Sequence, residues 1–265
     1  MYTRILFVFL AVLLTSSALA EEELMEVTTP RGATQKFLLI KPSQPKATAI
    51  LFAGGKGALD LSKGLFGNPG IGWGSNNFLV RTREALARHG LMVATIDAPS
   101  DHQGKKGMSG GFRSSSQHVA DIDAVIARLR EIADVPIWLV GTSRGTESAA
   151  NIAVNSTQHP DGLVLTSSMT VGDRKGKAVT DFDLSAVRIP TLITHHKEDG
   201  CPKTLPGDID IVETGLSNAP LVKVQWFSGG REQSDPCQAM SHHGYLGIEN
   251  QVVDAIAQFI LENSR

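Results

Sequence analysis

Cysteine is nearly absent: Cys201 and Cys237 are the two in a chain of 265 residues. Two cysteines cannot staple a small disulfide scaffold, and theirs is not the spacing of a structural zinc site. Neither sign of charge dominates, with 25 Lys and Arg against 27 Asp and Glu and a net charge of −2. No basic tract occurs and basic residues do not interleave with aromatics, which argues against nucleic acid as a partner. With 42% hydrophobic and 20% charged residues, disordered, collagen-like and low-complexity classes are excluded. Beyond the first twenty residues no apolar stretch is long enough to span a bilayer.

Those first twenty residues carry a pattern of their own. Arg4 is followed by an apolar run over residues 5–14 and then by Ala18-Leu19-Ala20. This predicts a secretory signal peptide over residues 1–20, cleaved after Ala20. A run of that length covers about half of the roughly 20 residues a transmembrane helix needs. The expected mature chain, residues 21–265, is exported (periplasmic or secreted), has no stable membrane span and can pair its cysteines in an oxidising compartment.

Along the mature chain, short apolar runs alternate with amphipathic segments. Strands are predicted over residues 36–40, 49–53, 91–97, 136–140, 162–166, 191–194 and 221–226. Helices are predicted over 77–89, 117–132, 144–153, 206–216 and 248–261. This alternation is that of an α/β fold with a mostly parallel sheet covered by helices on both faces. No repeat or linker divides the chain, so one domain is expected. Two glycine-rich loops, residues 54–75 and 98–116, start at strand ends, where open parallel sheets bind ligands.

Gly141-Thr142-Ser143-Arg144-Gly145 fits G-x-S-x-G, with a predicted strand running into it and a predicted helix leaving it. So tight a turn strains the serine and exposes its hydroxyl above the sheet. The flanking glycines are needed where a side chain would collide with the neighbouring strand and helix. At these residues the chain resembles the α/β-hydrolase superfamily of serine hydrolases, in a form without a large cap domain. The resemblance implies an eight-stranded sheet and catalytic residues in the order Ser…Asp/Glu…His.

On that order, the acid follows the strand at 191–194. Asp199 is preferred, with Glu198 in reserve and Asp173 a third option. The histidine precedes the last helix, where His243-Gly244-Tyr245 resembles the His-Gly-aromatic sequence of the superfamily; His243 is preferred to His242. His195 and His196 remain candidates for substrate contact, with no obvious third ligand beside them to make a metal pair. The oxyanion donors expected are the backbone N–H of Arg144 and one from the Gly54-Gly55-Lys56 stretch, Gly55 being preferred to Lys56. Ala53 stands where relatives commonly have His. The Arg144 side chain is read either as an attractant for an anionic substrate group or as a salt bridge to Glu147 or Asp97.

About 24 residues separate the sixth strand from Thr191, too few for a cap domain. An open site roofed by the two glycine-rich loops is expected, which disfavours a triacylglycerol lipase. The reading is an exported carboxylesterase acting on small or medium acyl esters through Ser143, His243 and Asp199, with neither cofactor nor metal. A short-peptide serine peptidase, or a catalytically silent hydrolase fold used for binding, is the alternative. The sequence carries no signature of oligomeric state. In the implied fold the loops after Asp199 and before His243 leave neighbouring strands, so Cys201 and Cys237 are expected to form a disulfide.

Overall fold

The computed structural model describes residues 21–64 and 68–264; the expected signal peptide lies outside them. Its strands are β1 (Glu22–Thr28), β2 (Thr34–Ile40), β3 (Ala47–Phe52), β4 (Leu61–Lys63), β5 (Pro69–Ile71), β6 (Leu91–Ile96), β7 (Ile137–Thr142), β8 (Gly162–Thr166), β9 (Thr191–His196) and β10 (Val222–Phe227). Eight of them form one sheet in the order β1-β2-β6-β3-β7-β8-β9-β10. From β6 to β10 every neighbouring pair is parallel, while β2 runs antiparallel to both β1 and β6.

Burial explains this order. In β3, β6 and β7 every residue is buried, as continuous apolar runs must be when both faces of a parallel sheet are covered. Strand β1, Glu-Glu-Leu-Met-Glu-Val-Thr, was not predicted. Its glutamates suit an edge strand, where charge discourages pairing with another chain. The hairpin of β4 and β5 lies inside the first glycine-rich loop and was also unforeseen.

Helices cover both faces. Val119 and Ile122 of α2 (Ser116–Ile132), Ala149 and Ile152 of α3 (Gly145–Asn155), and Ile209 and Val212 of α4 (Ile209–Gly215) pack on one side. Leu79 and Leu86 of α1 (Phe78–Arg88) and Val252, Ile256 and Phe259 of α5 (Glu249–Glu262) pack on the other. Helix starts follow local chemistry: the Asn77 side chain accepts the Leu79 N–H, and Ser115 Oγ accepts the His118 N–H. Helix α3 has no such side-chain cap; its N-cap residue is Arg144, which follows Ser143.

The turn between β7 and α3 is closely packed. Ser143 has φ +52°, the left-handed region that a residue with a Cβ enters only at a cost. Its N–H donates to the Thr166 carbonyl of β8 at 3.0 Å, and its carbonyl accepts the Thr146 N–H at 2.9 Å. A Cβ on Gly141 would lie 2.6 Å from the Gly145 oxygen, and one on Gly145 would be driven into the Phe52 carbonyl of β3.

Gly145→Ala decides whether this approach constrains the fold. In an open helix the change would stabilise by about 1 kcal/mol. Here it is expected to destabilise by about 1–3 kcal/mol or more through overpacking against β3. Urea denaturation gives the sign, and a gain in stability would show that the contact relaxes freely.

Candidate active site

The carboxyl ends of β3, β7, β8 and β9 open on a cavity of about 600 Å³, whose wall includes Gly55, Ser143, Arg144 and His243. A larger groove, about 810 Å³, lies against α2 and α3, and none of the predicted site residues lines it.

The loop after β9 delivers Asp199, which is buried. Its Oδ2 accepts from His243 Nδ1 at 2.9 Å and from the Thr204 hydroxyl at 2.9 Å, while Oδ1 accepts the Cys201 N–H at 3.0 Å. Burial pushes this carboxyl up, but the bonds to His243 and Cys201 outweigh it and hold the group below its usual range. An ionised Asp199 fixes the proton of His243 on Nδ1. Among the described residues Nε2 of that ring has no hydrogen-bond partner, so it is the nitrogen open to chemistry.

The peptide around His243 is shaped by its neighbours. The Ser241 hydroxyl accepts the His243 N–H at 3.2 Å, and Ser167 Oγ donates to the His243 carbonyl at 2.8 Å. A Cβ on Gly244 would run into the Ala239 carbonyl. Tyr245, buried with φ +58°, packs against Phe78 and donates its hydroxyl to the Thr194 carbonyl of β9 at 2.9 Å. The sequence His-Gly-Tyr thus has a mechanical reading: a ring for the site, a space for the turn, and an anchor in the sheet.

His242 points elsewhere. It stacks on His196 with ring centroids 4.5 Å apart and planes 3° from parallel. His196, His242 and Glu198 bring potential ligand atoms within 4.8 Å of one another. His196 Nε2 is bonded to the Gly229 carbonyl, however, and Nδ1 accepts the Glu198 N–H. One ion also cannot lie in the planes of two stacked rings, so the donors do not fit a metal. His195 is buried, bonded through Nε2 to the Thr204 carbonyl at 3.0 Å and pushed down to about 4 by burial. Neither His195 nor His196 lines the cavity, which corrects the expectation of substrate contact.

Two further expectations are corrected. Asp173 does line the cavity, but it accepts from Arg144 Nη2 at 2.7 Å and sits 3.9 Å from Lys203 Nζ; it is not the carboxylate beside His243. The Arg144 side chain therefore pairs with Asp173, not with Glu147 or Asp97. Asp97 instead accepts the N–H groups of Leu59, Leu61 and Ala98 and so pins the first glycine-rich loop. That loop lines the cavity; the second, residues 98–116, does not, and lines other pockets instead, one of them adjoining.

Gly54 packs on the candidate nucleophile: a Cβ there would lie 3.0 Å from Ser143 Cβ. The next residue, Gly55, has φ +59°, and among the described residues neither its N–H nor that of Arg144 donates to any acceptor. Arg113 holds this loop. Fully buried, it donates from Nη2 to the Ala53 carbonyl at 2.8 Å and from Nη1 to Ser148 Oγ of α3 at 2.7 Å. Burial pushes its guanidinium down to about 10, so it stays charged at neutral pH. Sequence reasoning missed Arg113 and Thr204, because each sits in a stretch that reads as a polar loop.

Cys201 and Cys237 are bonded, with Cα atoms 4.6 Å apart, and both line the cavity. A family model described as serine aminopeptidase, S33, matches residues 65–200, about half of the chain. No curated protein matches significantly. Among solved structures, Pyrococcus furiosus esterase Pf2001 superposes with a TM-score of 0.65 at 13% identity, covering 92% of this chain and 93% of its own. Anabaena variabilis dienelactone hydrolase gives 0.62 at 16%, covering 94% and 100%. Porphyromonas gingivalis dipeptidyl peptidase 4 gives 0.63 at 13%, covering 93% of this chain and 36% of that longer one.

The disulfide generates the test of this arrangement. The chain-entropy model assigns about 3–4 kcal/mol to a bridge closing a loop of this length. Cys201→Ser with Cys237→Ser is expected to lower the melting temperature by several degrees. A melting curve superposable on wild type would show that the other contacts of the two loops suffice.

Proposed function

The chain belongs to the serine aminopeptidase S33 family of α/β-hydrolases, and from that premise we propose that it is a serine hydrolase with Ser143 as nucleophile. His243 Nε2 takes the Ser143 proton as Oγ attacks the substrate carbonyl, while Asp199 holds the imidazole and stabilises its cation. The oxyanion of the tetrahedral intermediate accepts the N–H groups of Arg144 and Gly55. His243 then protonates the leaving group, and water releases the acyl group by the same steps in reverse. The observation that carries this reading is the 2.9 Å bond between Asp199 and His243 Nδ1, with the ring and the strained Ser143 on one cavity.

The substrate reading is a carboxylic ester of a small or medium acyl group. The structural neighbours include an esterase and a dipeptidyl peptidase, so the cavity itself must favour one. An aminopeptidase needs a carboxylate to receive the substrate's α-ammonium group. Among the described residues the cavity offers Asp173 alone, already paired with Arg144, while Lys56, Lys175 and Lys203 surround it. Such a wall repels a free amino terminus.

Ser143→Ala and His243→Ala are expected to lower kcat by roughly 10⁵–10⁶-fold and Asp199→Asn by about 10⁴-fold. A fluorophosphonate probe is expected to label wild type and not Ser143→Ala. The panel pairs 4-nitrophenyl esters of increasing chain length with aminoacyl anilides. Faster anilide cleavage would move the reading to a peptidase, and an unlabelled wild type to a silent binding fold.

Export is part of the same proposal. The leader pattern of residues 1–20 supports it, as does a disulfide, which persists in oxidising compartments. The intact mass of the protein recovered outside the cytoplasm is expected to correspond to a chain beginning at Glu21. A mass retaining Met1 would favour a membrane anchor instead.

A further inference from the structure

Beside the catalytic cavity lies a second pocket, of about 400 Å³, that shares Gly55, Lys56, Arg144 and Lys175 with it. Six cationic side chains line this pocket: Lys56, Lys105, Lys106, Arg144, Arg174 and Lys175. No acidic residue does. The concentration runs against the composition of the chain, in which acids outnumber bases.

The cations come from four distant segments, three of which are joined by backbone hydrogen bonds. The Met108 N–H donates to the Lys56 carbonyl at 2.9 Å, and the Gly110 N–H donates to the Lys175 carbonyl at 2.8 Å. Lys56 is itself positioned, with Nζ 3.0 Å from the Gly104 carbonyl and 4.7 Å from the centroid of the Trp73 ring. Arg144 is anchored by Asp173. Among the described residues Lys105, Lys106, Arg174 and Lys175 form no ion pair. Cations gathered without counter-charge repel one another, and an anion entering the pocket relieves that repulsion.

Resting on the reading of Ser143 as nucleophile, we propose that the substrate bears an acidic group, carboxylate or phosphate, on its acyl side and that this pocket receives it. The placement follows from the geometry. The pocket reaches both candidate oxyanion donors, at Gly55 and Arg144, but not His243, beside which the leaving group must depart to collect its proton. A group held there belongs to the part of the substrate that stays on the serine.

Two substrates of nearly equal size separate charge from shape: 4-nitrophenyl pentanoate, and the 4-nitrophenyl half-ester of glutaric acid with its free carboxylate. At low salt the half-ester is expected to have at least a tenfold higher kcat/KM. The advantage should shrink to about threefold in 0.5 M NaCl, where the Debye length falls to a few ångströms. In Lys105→Gln/Lys106→Gln/Arg174→Gln the ratio is expected to fall towards one. Removing the same charge elsewhere, as Lys41→Gln/Arg188→Gln/Lys223→Gln, should leave it in place. A ratio near one in wild type, insensitive to salt and to the first triple variant, overturns the proposal.

Calorimetry on Ser143→Ala needs no turnover. Glutarate or inorganic phosphate is expected to bind, and binding to vanish when the pocket triple is added; the tighter of the two anions names the acid class. If wild type neither turns over ester nor takes the fluorophosphonate, the nucleophile reading fails while calorimetry still judges the pocket. Neither anion binding better to Ser143→Ala than to the combined variant overturns it.

Discussion

Backbone pressed against backbone at the end of β7 is the constraint on which the cavity rests. Gly145 touches the Phe52 carbonyl, Gly141 faces Gly145, and Gly54 closes on Ser143 from the next strand. With these approaches in place, Ser143 must take a positive φ, and α3 starts with its amides facing the cavity. The arrangement is set by exclusion more than by attraction, so it is rigid without a large contact area. Arg113 adds a charged attraction, tying the Ala53 carbonyl to Ser148 on α3 so that the two candidate oxyanion donors belong to a single braced unit.

The candidate acid and base are held by a different principle. Both lie on loops, and loops need tethers. Asp199 is fixed by three hydrogen bonds and by the neighbouring disulfide, and His243 by Ser241, Ser167 and the anchored Tyr245. Thr204 belongs to both sets, since its hydroxyl touches Asp199 and lies 3.1 Å from His243 Nδ1. A carboxylate so supplied with donors stays charged despite burial, and its field then selects the tautomer of the ring.

What the sequence disclosed follows the reach of local rules. The G-x-S-x-G turn, the central strands and the long helices were legible because each is written in consecutive residues. The pairing of Asp199 with His243 was legible because chain order limits where the candidate acid and base can stand. Strand β1 was not, since Glu-rich edge strands carry little apolar signal. Arg113 escaped for a different reason: it lies in Gly-Phe-Arg-Ser-Ser-Ser, and nothing local tells that its guanidinium is buried 60 residues away against Ala53. The partner of Arg144 was misjudged likewise, because Asp173 comes to it on a loop whose path no periodicity encodes.

The joints between the loops around the cationic pocket are made by main-chain atoms, Met108 to Lys56 and Gly110 to Lys175. These joints need the glycines at 107 and 110, which have positive φ and no room for a Cβ, but they use none of the charged side chains. The charged groups on them can therefore be exchanged while the loops keep their places, and neither β7 nor the anchored Tyr245 takes notice. On the proposed reading, reactivity and selectivity occupy separate layers of this molecule, so what is recognised can change while the chemistry beneath stays intact.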